Sequence, residues 1–433
     1  MLSRFIQIIK SFRKERNPKF KIQNPKFNSS ALGYAITFLL LIGLICSGVL
    51  FISSVNKRLE YNYTMKEHLI MDNSLSLIIG ANLENQSRKT IIHPAGDTSQ
   101  IDIKQWGAFK MIVAKTFHKN KIQQKTALSG IDNNDNLPAF YLADNNQALK
   151  LAGNVKIEGS AYLPERGVES AYITGKSYSN DKLIYGDQKK SENYLPKIKE
   201  KYQNITLESF IKDSKKIEDI GKDSSYSFDT KTNLYSTISP VIIDNKIKGN
   251  IVIHSFDSIY VTSNSNLENV ILIAPKIRFQ KEFKGSVQAI ATNQIVCEEN
   301  VTLSYPSTLY LNENTFNISE KNNQIILKEK AKVLGGILML SSQSNFRKPM
   351  LLSIAPKSVA SGIVYNQGSS EISGSVIGYF YTQNLYLKAG GGEYTNHLMD
   401  CVISSKLLPK EFIIPDWLES QSKNPKNKII NTF

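Results

Sequence analysis

Residues 258–297, SIYVTSNSNLENVILIAPKIRFQKEFKGSVQAIATNQIVC, contain the pattern that decides the fold. Three short runs with apolar residues at alternate positions begin at Ser258, Lys276 and Gln294, each 18 residues after the last. Their apolar positions form two sets: Ile259, Ile277 and Ile295, and then Val261, Phe279 and Cys297. Alternation with period two places both sets on one strand face, and the constant offset lets that face stack on itself. Cys297 is therefore predicted to be a small, buried apolar side chain.

Further apolar runs precede these three and recur later in the chain. They are GNIVIHS (249–255), ENVILIA (268–274), GSVQAIA (285–291), GGILMLS (335–341), SGIVYNQ (361–367) and GSVIGYF (374–380). A unit of about 18 residues cannot bury its apolar face alone, whereas stacked units bury a continuous column. The pattern predicts a mainly β fold containing a parallel β-helix or solenoid. An antiparallel β-sandwich also has short, Gly-bounded strands, but it gives no reason for a constant register.

A second feature is the uncharged stretch Ala31–Val55, ALGYAITFLLLIGLICSGVLFISSV. A helix of this length crosses a hydrocarbon core of about 30 Å, and the stretch is longer than the apolar core of a cleaved secretory signal. We therefore expect one retained transmembrane helix. The residues before it carry one acid, Glu15, and eight bases: Arg4, Lys10, Arg13, Lys14, Arg16, Lys19, Lys21 and Lys26. The positive-inside rule then predicts a cytoplasmic N-terminus and a periplasmic or extracellular location for residues 56–433.

The remaining segments follow from where Pro, Gly and polar residues interrupt the apolar runs. No Pro or Gly occurs between Phe51 and Ile79, which predicts a helical stalk; a short juxtamembrane helix packed on the outer domain is the alternative. The predicted organisation is a basic tail (1–30), the transmembrane helix (31–55), the stalk (56–80), a small mixed α+β connector (81–147), the first solenoid strands (148–186), a polar excursion outside the core (187–235), the solenoid core (236–405), and a C-terminal cap with a loose tail (406–433).

The residues at the start of the apolar stretch match a known pattern of peptidase cleavage. Gly33 follows a basic leader and precedes an aromatic residue, Tyr34, which resembles the junction of prepilin-like proteins where a leader peptidase cuts after Gly. Phe38 departs from that pattern, because most such proteins carry Glu there. With ENVILIAPKIRF and GSVQAIATNQIVCEENVTLSYPS, the chain resembles pilin-like, single-pass membrane proteins of the Bacteroidota with a β-helical outer domain. The repeat alone resembles bactofilins, which are bacterial polymer-forming scaffolds. The first resemblance implies a subunit of a type IV pilus or a type II secretion-like machine, anchored in a bacterial inner membrane.

The net charge limits the classes of binding partner, and the cysteine content limits the disulfides. The net charge is +15, of which the tail supplies +7, leaving +8 on residues 28–433 without dense Lys/Arg clusters. That surface favours acidic polysaccharide or lipid headgroups and does not indicate nucleic-acid binding. Three cysteines give no disulfide framework, although a Cys297–Cys401 pair stays open.

The sequence predicts no catalytic, metal or cofactor site. The outward positions Tyr260, Arg278 and Val296 bring no two acids together, as a glycan-cleaving site would need. His254 and His397 have no second His at ligand spacing. We expect a structural or assembly subunit acting through protein–protein contacts, with small residues in the membrane helix allowing close packing. An anchored adhesin or glycan-binding β-helix is the alternative, and a polysaccharide-degrading enzyme is a more distant one.

Overall fold

The computed structural model describes residues 29–83, 87–94, 96–133, 137–203, 214–313, 323–341, 350–419 and 427–433. The chain divides into two compact units, Met1–His68 and Leu69–Phe433. It is mainly β, with one long apolar N-terminal helix. Residues 1–28 of the predicted basic tail lie outside the described residues.

The long helix, α1 (Ser29–Ala81), ends two residues beyond the predicted Ile79. Its apolar part is long and apolar enough to cross a membrane, and the side chains there are exposed. The last turns belong to the second unit, where Leu77 and Ala81 are buried with Ile101 and Ile112. A Cβ on Gly80 would lie 2.6 Å from the Cγ2 of Ile112, so the helix approaches the strands closely. The helix is thus continuous from Ser29 to Ala81, and its last turns are packed on the strands.

The partner of these last turns is an antiparallel sheet in the order β1-β2-β3-β4. Its strands are β1 (Arg88–Ile92), β2 (Thr98–Trp106), β3 (Phe109–His118), β4 (Lys121–Asp132), β30 (Ile413–Ile414) and β31 (Asn427–Thr432). Alternation in β2 puts Ile101 and Ile103 in the cluster with α1, and places Asp102 and Lys104 on the opposite face. The predicted mixed connector is corrected here: between Arg88 and Asp132 its described regular elements are strands, and the helix packed on them is α1.

The rest of the second unit is dominated by a parallel array, by which we mean the parallel strands within residues 140–190 and 215–404. Its strands are β5 (Phe140–Leu142), β6 (Leu149–Ala152), β7 (Lys156–Glu158), β8 (Ala161–Leu163), β9 (Val168–Ser170), β12 (Gln188–Lys190), β13 (Lys215–Lys216), β14 (Asp223–Tyr226), β15 (Asn233–Thr237), β16 (Val241–Ile243), β17 (Lys246–Ser255), β18 (Ser258–Val261), β19 (Asn266–Phe279), β20 (Lys284–Cys297), β21 (Thr302–Asn312), β22 (Gln324–Leu327), β23 (Lys332–Leu340), β24 (Leu351–Ile354), β25 (Val359–Ile372), β26 (Ser375–Ala389), β28 (His397–Met399) and β29 (Val402–Ser404).

Small elements complete the described secondary structure. Two antiparallel pairings lie beside the array, one between β10 (Tyr172–Ile173) and β11 (Lys176–Ser177), the other between β26 and β27 (Gly392–Thr395). A short helix, α2 (Glu200–Gln203), and a 3-10 turn at Ile217–Asp219 are further helical elements.

The predicted columns are placed in register by the parallel pairings. Ile259 pairs with Ile277, and Ile277 pairs with Ile295. The second set, Val261, Phe279 and Cys297, pairs in the same way, and all six side chains are at most 1% exposed. The first column continues through Ile325 and Leu352. Ile325 is 30 positions after Ile295, so the register persists although the 18-residue spacing ends.

The order of strands along the array differs from their order in the sequence. β26 pairs with β5, which pairs with β8, which pairs with β12. Along the array, the strands from residues 140–190 therefore follow those of residues 375–404. They do not precede the strands that begin at residue 215. Phe140 lies on Phe380, with ring centroids 5.5 Å apart. A connection must consequently lead from β12 to β13, at the opposite end of the array.

Residues 191–203 form the described part of this connection and run over one face of the array. Leu195, Ile198 and Tyr202 are buried there. Tyrosine hydroxyls on three strands of the array, β5, β25 and β21, donate to its backbone: Tyr141 to the Tyr194 carbonyl (3.3 Å), Tyr365 to the Pro196 carbonyl (2.9 Å) and Tyr310 to the Tyr202 carbonyl (2.7 Å). This corrects the expectation of a polar excursion outside the core.

The C-terminal segment also covers that face and does not lie at an end of the array. Trp417 is fully buried in the same cluster as Leu338 and Tyr365. Ile413–Ile414 and Asn427–Thr432 both pair with β4. The predicted cap with a loose tail is thus corrected for the described residues: this segment joins the sheet to the side of the array.

Candidate functional site

The predicted leader junction lies inside the first turns of α1. Gly33 and Tyr34 follow the helix start at Ser29, and Tyr34 is 76% exposed. A Cβ added to Gly33 would meet nothing within 4 Å. The structure therefore places no packing demand on glycine at this position.

The cysteines outside α1 are free thiols in this structure. Cys297 and Cys401 are both fully or almost fully buried, Cys297 in the second column and Cys401 just before β29. Burial raises the pKa of Cys297 far above its usual range and raises the pKa of Cys401 to about 12. Both side chains are thus protonated and unreactive at neutral pH.

A buried polar network joins the end of α1 to the sheet. His93 Nδ1 lies 3.5 Å from Asp72 Oδ1, and His93 Nε2 lies 2.7 Å from Ser99 Oγ. Ser99 Oγ is 2.7 Å from Thr116 Oγ1, which accepts a hydrogen bond from Asn73 Nδ2 (3.1 Å). The order Asp72–His93–Ser99 is that of a nucleophilic triad, but Ser99 is fully buried and no substrate can reach its hydroxyl. The network therefore fixes the helix to the sheet.

The C-terminus of α1 is held by a buried lysine. Lys110 Nζ donates to the carbonyls of Ala81 (3.1 Å) and Leu83 (2.8 Å). The last carbonyls of a helix lack partners within the helix and carry partial negative charge, so an ammonium group there is favourable. Lys110 could not be identified from the sequence, because nothing local distinguishes it from the other lysines.

A cleft of about 730 Å³ lies in the second unit between the antiparallel sheet and the first strands of the array. Five cationic side chains line it, Arg88, Lys104 and Lys115 from the sheet and Lys215 and Lys231 from the opposite side, against the carboxylates of Asp102 and Asp229. Uncharged amides and hydroxyls stand between them, and Trp106 and Phe228 pack edge to face at 5.4 Å on its floor. The lining is therefore positively charged and rich in hydrogen-bonding groups.

The sequence could not reveal this cleft, because its lining comes from residues 88–124 and 215–271. Within the described residues, no three His, Cys, Asp or Glu side chains come together at metal-binding spacing.

The comparisons with known proteins add little. No protein-family model matches the chain, and no curated protein matches it. Among solved structures, the competence-associated pilin ComZ from Thermus thermophilus aligns over 80% of this chain and 86% of its own, with 8% identity and a TM-score of 0.20. A likeness this weak carries no argument about the function of this chain.

Proposed function

We propose that this chain is a membrane-anchored structural subunit of a bacterial cell-envelope assembly and acts through protein–protein contacts. One observation carries the proposal: the helix with the exposed, uncharged stretch is the same helix whose last turns are buried in the folded second unit. An apolar segment of that length is costly in water and stable in a bilayer.

The parallel array, on this proposal, is a β-helix whose role is shape and contact. Six predicted column residues in register and buried support this interpretation. Stacked units of this kind give extended surfaces without requiring a catalytic centre. We propose that the chain is not an enzyme, since the triad-like alignment Asp72–His93–Ser99 is inaccessible.

The pilin-like part of the proposal concerns processing at Gly33, with the N-terminus cytoplasmic and the β-rich unit outside. Mature protein should be recovered from the inner-membrane fraction, and N-terminal sequencing should begin at Tyr34. A Gly33→Leu variant should keep its leader, whereas the matched Gly48→Leu variant should be processed normally. Neither substitution should disturb packing, because neither position has a neighbour within 4 Å of an added Cβ. An intact leader in the unmodified chain would remove the processing step.

The assembly itself is tested by in-cell crosslinking followed by mass spectrometry of the solubilised complex. Stoichiometric crosslinks to other envelope proteins or to further copies are expected. A chain that is recovered alone from the membrane would instead favour the second candidate, an anchored adhesin or glycan-binding protein, which the cationic cleft supports.

A further inference from the structure

We propose that the cleft between the antiparallel sheet and the array binds a carboxylated oligosaccharide. The proposal does not depend on the assembly role, because it concerns the ligand of one site in the second unit. The volume of about 730 Å³ falls within the range of ligand-binding clefts.

The cleft contains a cation that is not paired with an acid among the described residues. Asp102 is shared by Arg88 (3.6 Å) and Lys104 (3.7 Å). Asp229 already accepts a hydrogen bond from Thr126 Oγ1 (3.3 Å). Among the described residues, Lys115 has neither an ion pair nor a hydrogen bond to its ammonium group. Lys115 is therefore available to an anionic ligand.

The cations stand on both sides of the cleft. Lys104 and Lys115 project from β2 and β3, while Lys215 comes from β13 on the other side. Like charges that face each other repel, and an anion bound between them is attracted to both sides and offsets this repulsion. Because the Lys104 side chain is 56% exposed, it is free to adjust to a ligand.

The uncharged groups of the lining favour a sugar among the possible anions. Gln100, Thr230 and Asn233 also line the cleft, and Asn233 Oδ1 accepts a hydrogen bond from Lys215 Nζ (3.1 Å). Amide and hydroxyl side chains offer both donors and acceptors to sugar hydroxyls. Trp106 and Phe228 are only 3% and 4% exposed, so they present no platform on which nucleic-acid bases could stack. Carboxylates on a hydroxyl-rich chain match this combination of lysines and amides.

The test is calorimetric titration of the full chain in detergent with a hexamer of galacturonic acid. Saturable binding is expected that weakens as salt is added. The Lys115→Glu/Lys215→Glu variant should bind at least about tenfold more weakly, since it reverses one charge on each side. The matched Lys284→Glu/Lys332→Glu variant carries the same charge change on exposed strand positions outside the cleft and should bind normally.

Several results would overturn the proposal. They are no binding of the hexamer at millimolar concentration, equal losses in the two double variants, or equally tight binding of maltohexaose, polyglutamate or polyphosphate. Circular dichroism checks that each variant is folded. If the Lys115→Glu/Lys215→Glu variant does not fold, Lys115→Gln takes its place, and unchanged binding in that variant would equally count against the cleft.

Discussion

Ile277 offers the most direct test of the parallel columns. Its side chain is 1% exposed and lies in register between Ile259 and Ile295. Ile277→Ala removes three carbons, each contributing about 0.8 kcal/mol on burial, and leaves a cavity that the stacked neighbours cannot fill. We expect the free energy of unfolding to fall by about 3–4 kcal/mol. Ile277→Val should cost about 1 kcal/mol.

The assay is urea denaturation of the full chain in detergent, followed by tryptophan emission. Trp106 and Trp417 are both buried in the cluster that covers the array, so their emission reports its unfolding. The matched control is Ile242→Ala, which makes the same chemical change at a neighbouring strand position that is 71% exposed. The control should change stability by less than about 0.5 kcal/mol. Equal effects of Ile277→Ala and Ile242→Ala would refute the interior column.

Three further predictions follow from particular contacts. Gly378→Ala should destabilise the fold strongly, because the new Cβ would lie 2.0 Å from the Gly362 carbonyl oxygen. Gly167→Ala is also at positive φ but has no neighbour within 4 Å, so it should lower stability by only about 1–2 kcal/mol in the same denaturation assay. Equal losses of stability in the two variants would contradict the close strand packing. Burial lowers the pKa of His254, so the unfolded chain binds the extra proton more readily, and stability should fall as the pH drops below about 6.5. Thermal melts of His254→Gln should show a weaker dependence of stability on pH. An unchanged pH profile in that variant would exclude the contribution of His254. Lys110→Met should lower stability by about 1–3 kcal/mol through loss of the hydrogen bonds to the end of α1. In this variant, hydrogen exchange should show the last turn of that helix opening first. Unaltered exchange in that turn would contradict the capping role of Lys110.

Local pattern was sufficient for the elements that depend on neighbours in sequence. The uncharged run and the absence of Pro or Gly between Phe51 and Ile79 predicted the end of α1 to within two residues, because helix formation depends on local backbone and side-chain preferences. Period-two alternation with a fixed offset predicted which residues share a strand face, since alternation is a property of the strand itself.

The tertiary structure decided everything that depends on distant partners. Phe140 pairs with Phe380, 240 positions away, so backbone pairing and side-chain packing between β5 and β26 place the first parallel strands after the last ones. The tyrosine hydroxyls that hold residues 191–203, the lysine at the end of α1 and the two sides of the cationic cleft are likewise brought together only by folding. Their residue types are common and their spacing is irregular, so the sequence alone carries no signal for such contacts.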